Sequence, residues 1–354
     1  MDARLLTRLH NIEAVLAQAL PSQANADWQT RSFGALDPCV TGRHLDGLIA
    51  PAYTLLSNAG KRWRPLLLVL CAELAAEAKD TCAASGEIAY HLAPLVECAH
   101  TASLIHDDIE DGADLRRGKP AAHVAFGTDV ALNAGSWLYF EAAACIDQLS
   151  LPDAQKNTLY ALYLRELRRL HLGQAMDILW HRNPALVPTL DEYTAMVRNK
   201  TGTLARLAVK AGLLAGGGTA EEAERAGSIA EDIGVGFQII DDVLNLTTGN
   251  PGKQRGDDIV EGKKSLPVLL HLQEKPGDQT ALGRLFTQAR AEGIGSPAVE
   301  QAIEMLSASG AIEEARKRGN DLVQEKSREL CDLYHTDGEA GILIAILFDS
   351  LLKK

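Results

Sequence analysis

The amino-acid sequence predicts an all-α protein, on three observations. Apolar stretches rich in Ala and Leu, at 66–77, 86–106, 129–147, 155–180, 204–215 and 226–246, run too long for strands. The punctuation between them is short: Ser57 to Gly60, Gly112 to Pro120, His181 to Pro188, Gly216 to Thr219 and Thr247 to Gly256. The sequence lacks the β-branched alternating runs that would mark strands, and it has no low-complexity tract and no internal repeat.

In chain order, residues 1–20 read as an amphipathic helix with Leu5, Leu6, Leu9, Ile12, Leu16 and Leu20 on its apolar face. The six long stretches follow as the helices of the core. Residues 274–299 are more polar, are broken at Pro276-Gly277 and from Gly293 to Pro297, and predict a peripheral helix with its connecting loops. A chain of 354 residues can bury a sizeable core. The economical reading is a single domain, 1–354, whose polar clusters line a central cavity.

Composition removes several function classes. A hydrophobic fraction of 46% with 23% charged residues is ordinary for a globular protein. A formal net charge of −12 disfavours nucleic acid and anionic membrane as partners, and an aromatic content of 5% gives no platform for stacked bases. The six cysteines contain no C-x-x-C pair, and four lie in apolar helical contexts, so reduced thiols are expected. The ten histidines show no zinc spacing. The N-terminus lacks a signal-peptide layout and no apolar run reaches membrane-spanning length, so the expected location is the cytoplasm.

Two acidic clusters carry the chemistry: Asp107-Asp108-Ile109-Glu110-Asp111 and Asp241-Asp242-Val243-Leu244-Asn245. Each closes an apolar run, so each belongs on a helix. There Asp107 and Asp111 share a face with Asp108 beside them, and the second cluster repeats that geometry with Asn at the last place. Like charges on one turn of a mostly buried helix are unfavourable unless something positive neutralises them. Hard cations such as Mg²⁺ take oxygen ligands shared between carboxylates and substrate phosphates. The pair therefore predicts a polyphosphate bound through metal.

A diphosphate held by metal on one side needs cations on the other. Gly60-Lys61-Arg62-Trp63-Arg64-Pro65 sets basic residues where a loop enters a helix, and helix N-termini favour anions independently. Arg116-Arg117-Gly118 follows the first cluster by five residues, and Lys200-Thr201-Gly202 and Lys253 add two further cations. His100 lies two helical turns before Asp107, and Gln238 three residues before Asp241, each on the face of its cluster.

The ordered motifs G-K-R-x-R-P, D-D-x-x-D with R-R-G-x-P behind it, K-T, G-x-x-F-Q-x-x-D-D and G-K-x-x-G-D-D-x-x-E-G-K span about residues 57–270. This set resembles the trans-type isoprenyl diphosphate synthases, most of all the geranylgeranyl diphosphate synthases. The resemblance implies an all-α isoprenoid-synthase bundle around a deep central cavity, with two aspartate-rich helices facing one another, and a homodimer. It implies that Asp107, Asp108 and Asp111 hold Mg²⁺ on an allylic diphosphate, and that Asp241 and Asp242 hold the remaining metal, three Mg²⁺ in all. Arg116, Lys200 and Lys253 would contact that diphosphate. Lys61, Arg64, His100 and Arg117 would bind isopentenyl diphosphate without metal, with Thr201 and Gln238 near the reacting carbons. Gln174 and Asp177 match a further family segment as cavity support.

The implied reaction is ionisation, condensation and elimination, with preorganised cations stabilising the leaving diphosphate and an apolar pocket shielding the allylic cation. No Ser-His or Cys-His nucleophile is needed, and none is evident. Product length is expected to depend on Ala99, Ala102 and Ser103, small residues one to two turns before Asp107, with a deeper floor between Leu132 and Tyr139. In the resemblance a bulky aromatic at Ala102 limits growth, so a geranylgeranyl (C20) or longer product is expected here. Two positions depart from the family pattern. Asn245 replaces a common Asp and predicts a weaker second metal site, and Ser136 also stands where an Asp is common. A class I terpene cyclase acting on one diphosphate, a non-catalytic subunit of a heteromeric synthase and a ligand-free helical scaffold are the alternatives.

Overall fold

The computed structural model describes residues 2–58, 60–79, 84–249, 254–334 and 338–352. It is an all-α structure. The sole sheet among the described residues is a two-residue ladder in which Leu115 pairs with Pro120 and Arg116 with Lys119. The chain divides into two compact units. One comprises Met1–Glu166, Arg206–Gly227 and Leu330–Lys354; the other comprises Leu167–Ala205 and Ser228–Glu329. The helices Asp153–His181, Thr203–Ala215, Ala220–Thr247 and Ala311–Asp332 contribute residues to both.

In the first unit, Leu66 to Ala72 of the helix Trp63–Ala78 are fully buried on every side of that stretch. This is how a helix enclosed within a core reads. Its start is set by Arg62, which adopts a left-handed conformation (φ 48°) and turns its side chain inward. The guanidinium pairs with Glu97 at 2.7 Å and Glu13 at 2.7 Å. Removing one partner of such a buried pair costs about 3–5 kcal/mol, so Arg62 is a structural cation within an otherwise surface-directed basic run.

The helix Ala3–Ala19 buries Leu5, Ile12 and Leu16, but Leu6 is 51% exposed, so the apolar face is narrower than the sequence suggests. The stretch 86–106 is two helices, Ala84–His91 and Ala93–Asp111. The break at Leu92 precedes Pro94, which lies in the first turn of the second helix and has no N–H to donate to the preceding one. Trp28, with Leu45 and Ile49, forms a smaller cluster joined by Phe33 and Trp137, its ring edge-on to theirs at 5.8 and 6.1 Å.

The second unit packs Trp180, Tyr193, Val197, Val243, Leu246 and Phe286 into one core. Thr189 and Glu192 cap each other's backbone N–H and start the helix Leu190–Val197, which fixes the entry of Tyr193 into that core. The helix continues as a π-helical turn, Arg198–Gly202, before Thr203–Ala215 resumes α geometry. The helix expected within 274–299 is Gln279–Glu292, and its Leu282, Phe286 and Ala289 are buried in the same core.

Cys71, Cys98 and Cys145 are buried free thiols, and Cys39 and Cys331 are also free; Cys82 lies outside the described residues. Among the described residues no helix is long and apolar enough to cross a membrane.

Candidate active site

One group of candidate residues lies in the first unit. Asp107, Asp108 and Asp111 occupy the last turn of the helix Ala93–Asp111, which ends at Gly112 with φ 67°. The negative end of the helix dipole adds to the carboxylates there, so the turn demands a cation. Arg116 supplies one: its Nε donates to Asp108 Oδ1 at 2.7 Å and its Nη2 to Asp107 Oδ2 at 3.3 Å. A two-residue hairpin aims it, with positive φ at both loop residues, Arg117 (53°) and Gly118 (75°). Asp108 is completely buried, and its Oδ2 has no hydrogen-bond partner. Burial raises its carboxyl above the ordinary range, and the Arg116 guanidinium works against that shift.

Beside this cluster sits a cationic group. Arg64 reaches His100, Nη1 to Nε2 at 3.3 Å, and lies over the Trp63 ring at 4.5 Å. Arg117 donates to the Asn58 carbonyl at 2.7 Å, and its guanidinium covers Gly60, where a Cβ would lie 2.9 Å from Nη2. That contact ties the hairpin to the Lys61 loop and explains the glycine; Lys61 itself is exposed. Burial, then Arg64, Arg117, Arg116 and Arg62, push His100 well below the usual histidine range. Four guanidiniums thus repel a proton from one imidazole. Cations are gathered around this ring in a chain of net charge −12.

Ala99 and Ala102 are fully buried on the same helix, and Ser103 Oγ donates to the His100 carbonyl at 2.7 Å. Within the stretch expected to hold a deeper floor, Leu132 is 49% exposed whereas Tyr139 is buried, its ring edge-on to His106 at 5.5 Å. Ser136 Oγ lies 3.4 Å from His106 Nε2. The small residue at Ser136 thereby meets the neighbour of the first aspartate.

A second group of candidate residues lies in the second unit. Asp241 is exposed and Asp242 buried on the helix Ala220–Thr247. Both oxygens of Asp242 are engaged: Oδ1 accepts from Gln238 Nε2 at 2.9 Å and Oδ2 from the Tyr193 hydroxyl at 2.8 Å. Thr201 Oγ1 in turn donates to Gln238 Oε1 at 2.8 Å. Burial raises the Asp242 carboxyl, with Asp258 and Asp241 adding to it while Gln238 and Tyr193 oppose. Lys200 pairs with Asp177 at 2.6 Å. Lys200 and Thr201 both sit on the π-helical turn, and Gly173 is packed against it so closely that a Cβ would fall 2.2 Å from the Lys200 nitrogen. Such turns concentrate at functional sites.

Asn245 is engaged by the segment that follows its helix. It is buried, its Oδ1 accepts from the Asp258 N–H at 3.1 Å, and its Nδ2 has no hydrogen-bond partner. Its carbonyl also accepts from the Gly256 N–H at 2.9 Å. It therefore ties the helix Ala220–Thr247 to the segment after it. Lys253 lies outside the described residues. The sequence reading missed Tyr193, since an aromatic residue in an apolar helix carries only a core signal.

The donor chemistry suits Mg²⁺. Asp107, Asp108 and Asp111 offer oxygens alone, and Asp108 holds a buried, unpartnered carboxylate oxygen. Among the described residues no three acidic, His or Cys side chains form a preassembled metal cage. Mg²⁺ needs none, because it is commonly held by one or two carboxylates with substrate phosphates and water.

Comparisons with known proteins bear on the family and the fold. A polyprenyl synthetase family model matches residues 46–306. A geranylgeranyl pyrophosphate synthase 2 of Zymoseptoria tritici is 40% identical over 186 residues, which cover 52% of this chain and 54% of that protein, about half its length. The geranylgeranyl pyrophosphate synthetase structure from Pyrococcus horikoshii superposes with a TM-score of 0.80 at 26% identity, over 99% of this chain and 98% of that one. A polyprenyl synthase from Caulobacter crescentus, solved with calcium and isoprenyl diphosphate, gives 0.74 at 25% identity, over 100% and 98%. With the matched segment taking in all the ordered motifs, from the Lys61 loop through Lys263, the chain belongs to the polyprenyl synthetase family.

Proposed function

We propose that the chain is a trans-prenyltransferase that joins isopentenyl diphosphate head to tail to an allylic diphosphate. The observation that carries this reading is the pairing, within one unit, of a carboxylate cluster with a separate cationic group. Asp107, Asp108 and Asp111 serve a diphosphate through metal, while Arg64, Arg117 and His100, with Lys61, suit one that needs no metal. A terpene cyclase handles a single diphosphate and has no use for the second group.

Mg²⁺, three ions in the full complex, would be held by Asp107, Asp108 and Asp111 and by Asp241 with Asp242, and would neutralise the leaving diphosphate. Calcium and isoprenyl diphosphate in the Caulobacter crescentus relative support this assignment. Arg116, Lys200 and Lys253 contact the allylic diphosphate as its C1–O bond breaks and the electron pair leaves with pyrophosphate. Arg64, Arg117, Lys61 and His100 hold isopentenyl diphosphate so that its double bond attacks C1. Neutral His100 donates or accepts a hydrogen bond without adding to the surrounding positive charge. Thr201 and Gln238 lie near the reacting carbons. The departed pyrophosphate takes the proton that restores the double bond, so no protein nucleophile is required.

The small residues Ala99, Ala102 and Ser103 favour a product of C20 or longer, in line with the geranylgeranyl synthases among the relatives. Exposed Leu132 and Phe140, eight residues apart on one helix face and 49% and 77% exposed, support a homodimer. The buried free thiols suit a reducing compartment such as the cytoplasm.

A second reading, a non-catalytic subunit of a heteromeric synthase, draws on Asn245 and on the full engagement of Asp242. Incubating the purified chain alone with Mg²⁺, isopentenyl diphosphate and each of the C5, C10, C15 and C20 allylic primers separates the two. Elongated prenyl diphosphates are expected. No elongation of any primer by the chain alone, with elongation restored by a partner subunit, would establish the second reading.

A further inference from the structure

We propose that Tyr193 is a positioning residue, whose hydroxyl anchors a hydrogen-bond chain that converges on Asp242 and reaches through Gln238 to Thr201. The inference rests on the synthase reading above and goes beyond the residues it assigns. The chain has three links: Tyr193 Oη to Asp242 Oδ2 at 2.8 Å, Gln238 Nε2 to Asp242 Oδ1 at 2.9 Å, and Thr201 Oγ1 to Gln238 Oε1 at 2.8 Å.

The direction follows from what each group is able to do. In its ionised form the Asp242 carboxylate only accepts, and the Gln238 amide turns its NH₂ toward it. Its carbonyl oxygen then faces Thr201, and the threonine hydroxyl must donate to it. The lone pairs of Thr201 Oγ1 are thereby left as acceptors for whatever binds beside it. Without the phenol, Asp242 Oδ2 loses its partner, and the Gln238 bond to Oδ1 is left to hold the carboxylate and the amide in place.

The placement of Tyr193 suits an anchor. It is 2% exposed, sits in a core with Trp180, Val197 and Val243, and enters from a helix fixed by the Thr189–Glu192 capping box. Thr201, at the other end, is on the π-helical turn. The chain thus links a rigid core position to a turn whose backbone departs from α geometry.

Tyr193→Phe removes the hydroxyl and keeps the buried ring. In the primer assay it is expected to lower kcat about tenfold with KM for isopentenyl diphosphate within about twofold. In a Gln238→Leu background, where the chain is already cut, the same change is expected to alter kcat less than about twofold. A second readout needs no turnover: the Gln238 side-chain amide resonance, identified by its loss in Gln238→Leu, is expected to be protected from exchange in the wild-type chain and unprotected in Tyr193→Phe. An unchanged kcat in Tyr193→Phe, or an equal fold-loss in both backgrounds, overturns the proposal. If the wild-type chain condenses nothing, the synthase reading falls and the resonance alone decides the anchor: lost protection in Tyr193→Phe supports it, and retained protection overturns it.

Discussion

At the residue scale, Asp108 and Arg116 show how the first cluster tolerates its own charge. Asp108 is fully buried at the negative end of a helix, and Arg116 is the cation that keeps its carboxylate acceptable there. Asp107 is only the weaker partner of that guanidinium, at 3.3 Å. Asp107→Ala should therefore leave the fold intact while lowering turnover by at least about a hundredfold; near-wild-type rates at saturating Mg²⁺, with unchanged circular dichroism, would refute the role. Ala102 is buried in the small-residue stripe on the same helix, and Ala102→Phe should shorten the product, read by sizing the dephosphorylated prenols. An unchanged distribution would remove that residue from the floor. Lys264 offers a pH test independent of the site. It is buried beneath the Phe286 ring at 5.1 Å, and burial, with Arg290 nearby, lowers its ammonium from 10.5 to about 8. Below pH 8 folded and unfolded chains both carry the charge, so the full penalty acts there; it fades as pH rises from about 8 to 10.5. Lys264→Met should raise the thermal midpoint at pH 7 by about 2–4 °C, an advantage that closes toward pH 10.5. A gap constant with pH would contradict this assignment.

At the scale of elements, the chain's helices were legible because apolar residues recur at helical spacing over stretches too long for strands. What escaped was local geometry set by tertiary contacts. The break at Leu92 had Pro94 as its sole signal, and the run 86–106 is otherwise uniformly apolar. Lys61, Arg62 and Arg64 look alike in sequence, but the left-handed backbone at Arg62 turns one of them inward to Glu97 and Glu13. The π-helical turn under Lys200 and Thr201 depends on backbone packing from Gly173, a contact that residue type alone does not reveal. Gly173→Ala places a methyl 2.2 Å from the Lys200 nitrogen. It should cost about 1–3 kcal/mol in chemical denaturation and lower kcat at least about tenfold, because the turn carrying two site residues must shift. Full stability with full activity would show that the close approach is not needed.

At the scale of the whole molecule, a chain of net charge −12 still gathers Arg62, Arg64, Arg116 and Arg117 around His100. The acidic clusters and their basic complement were readable in the sequence because like charges within apolar helices demand compensation. The engagement of Asp242 by Tyr193 and of Asn245 by Asp258 was not, since both depend on partners distant in sequence. The exposed Leu132 and Phe140 stripe belongs to this scale as well. Phe140→Asp should convert the expected homodimer to monomer in light scattering without loss of helicity; a wild-type chain that is already monomeric at micromolar concentration would contradict the assembly.

The central claim is that two diphosphates react together, and the stoichiometry of pyrophosphate release tests it most directly. With Mg²⁺ and an allylic primer, release is expected only when isopentenyl diphosphate is present, one pyrophosphate for each isopentenyl unit added to the product. Sustained release from the primer alone, with no isopentenyl unit incorporated, would contradict the account.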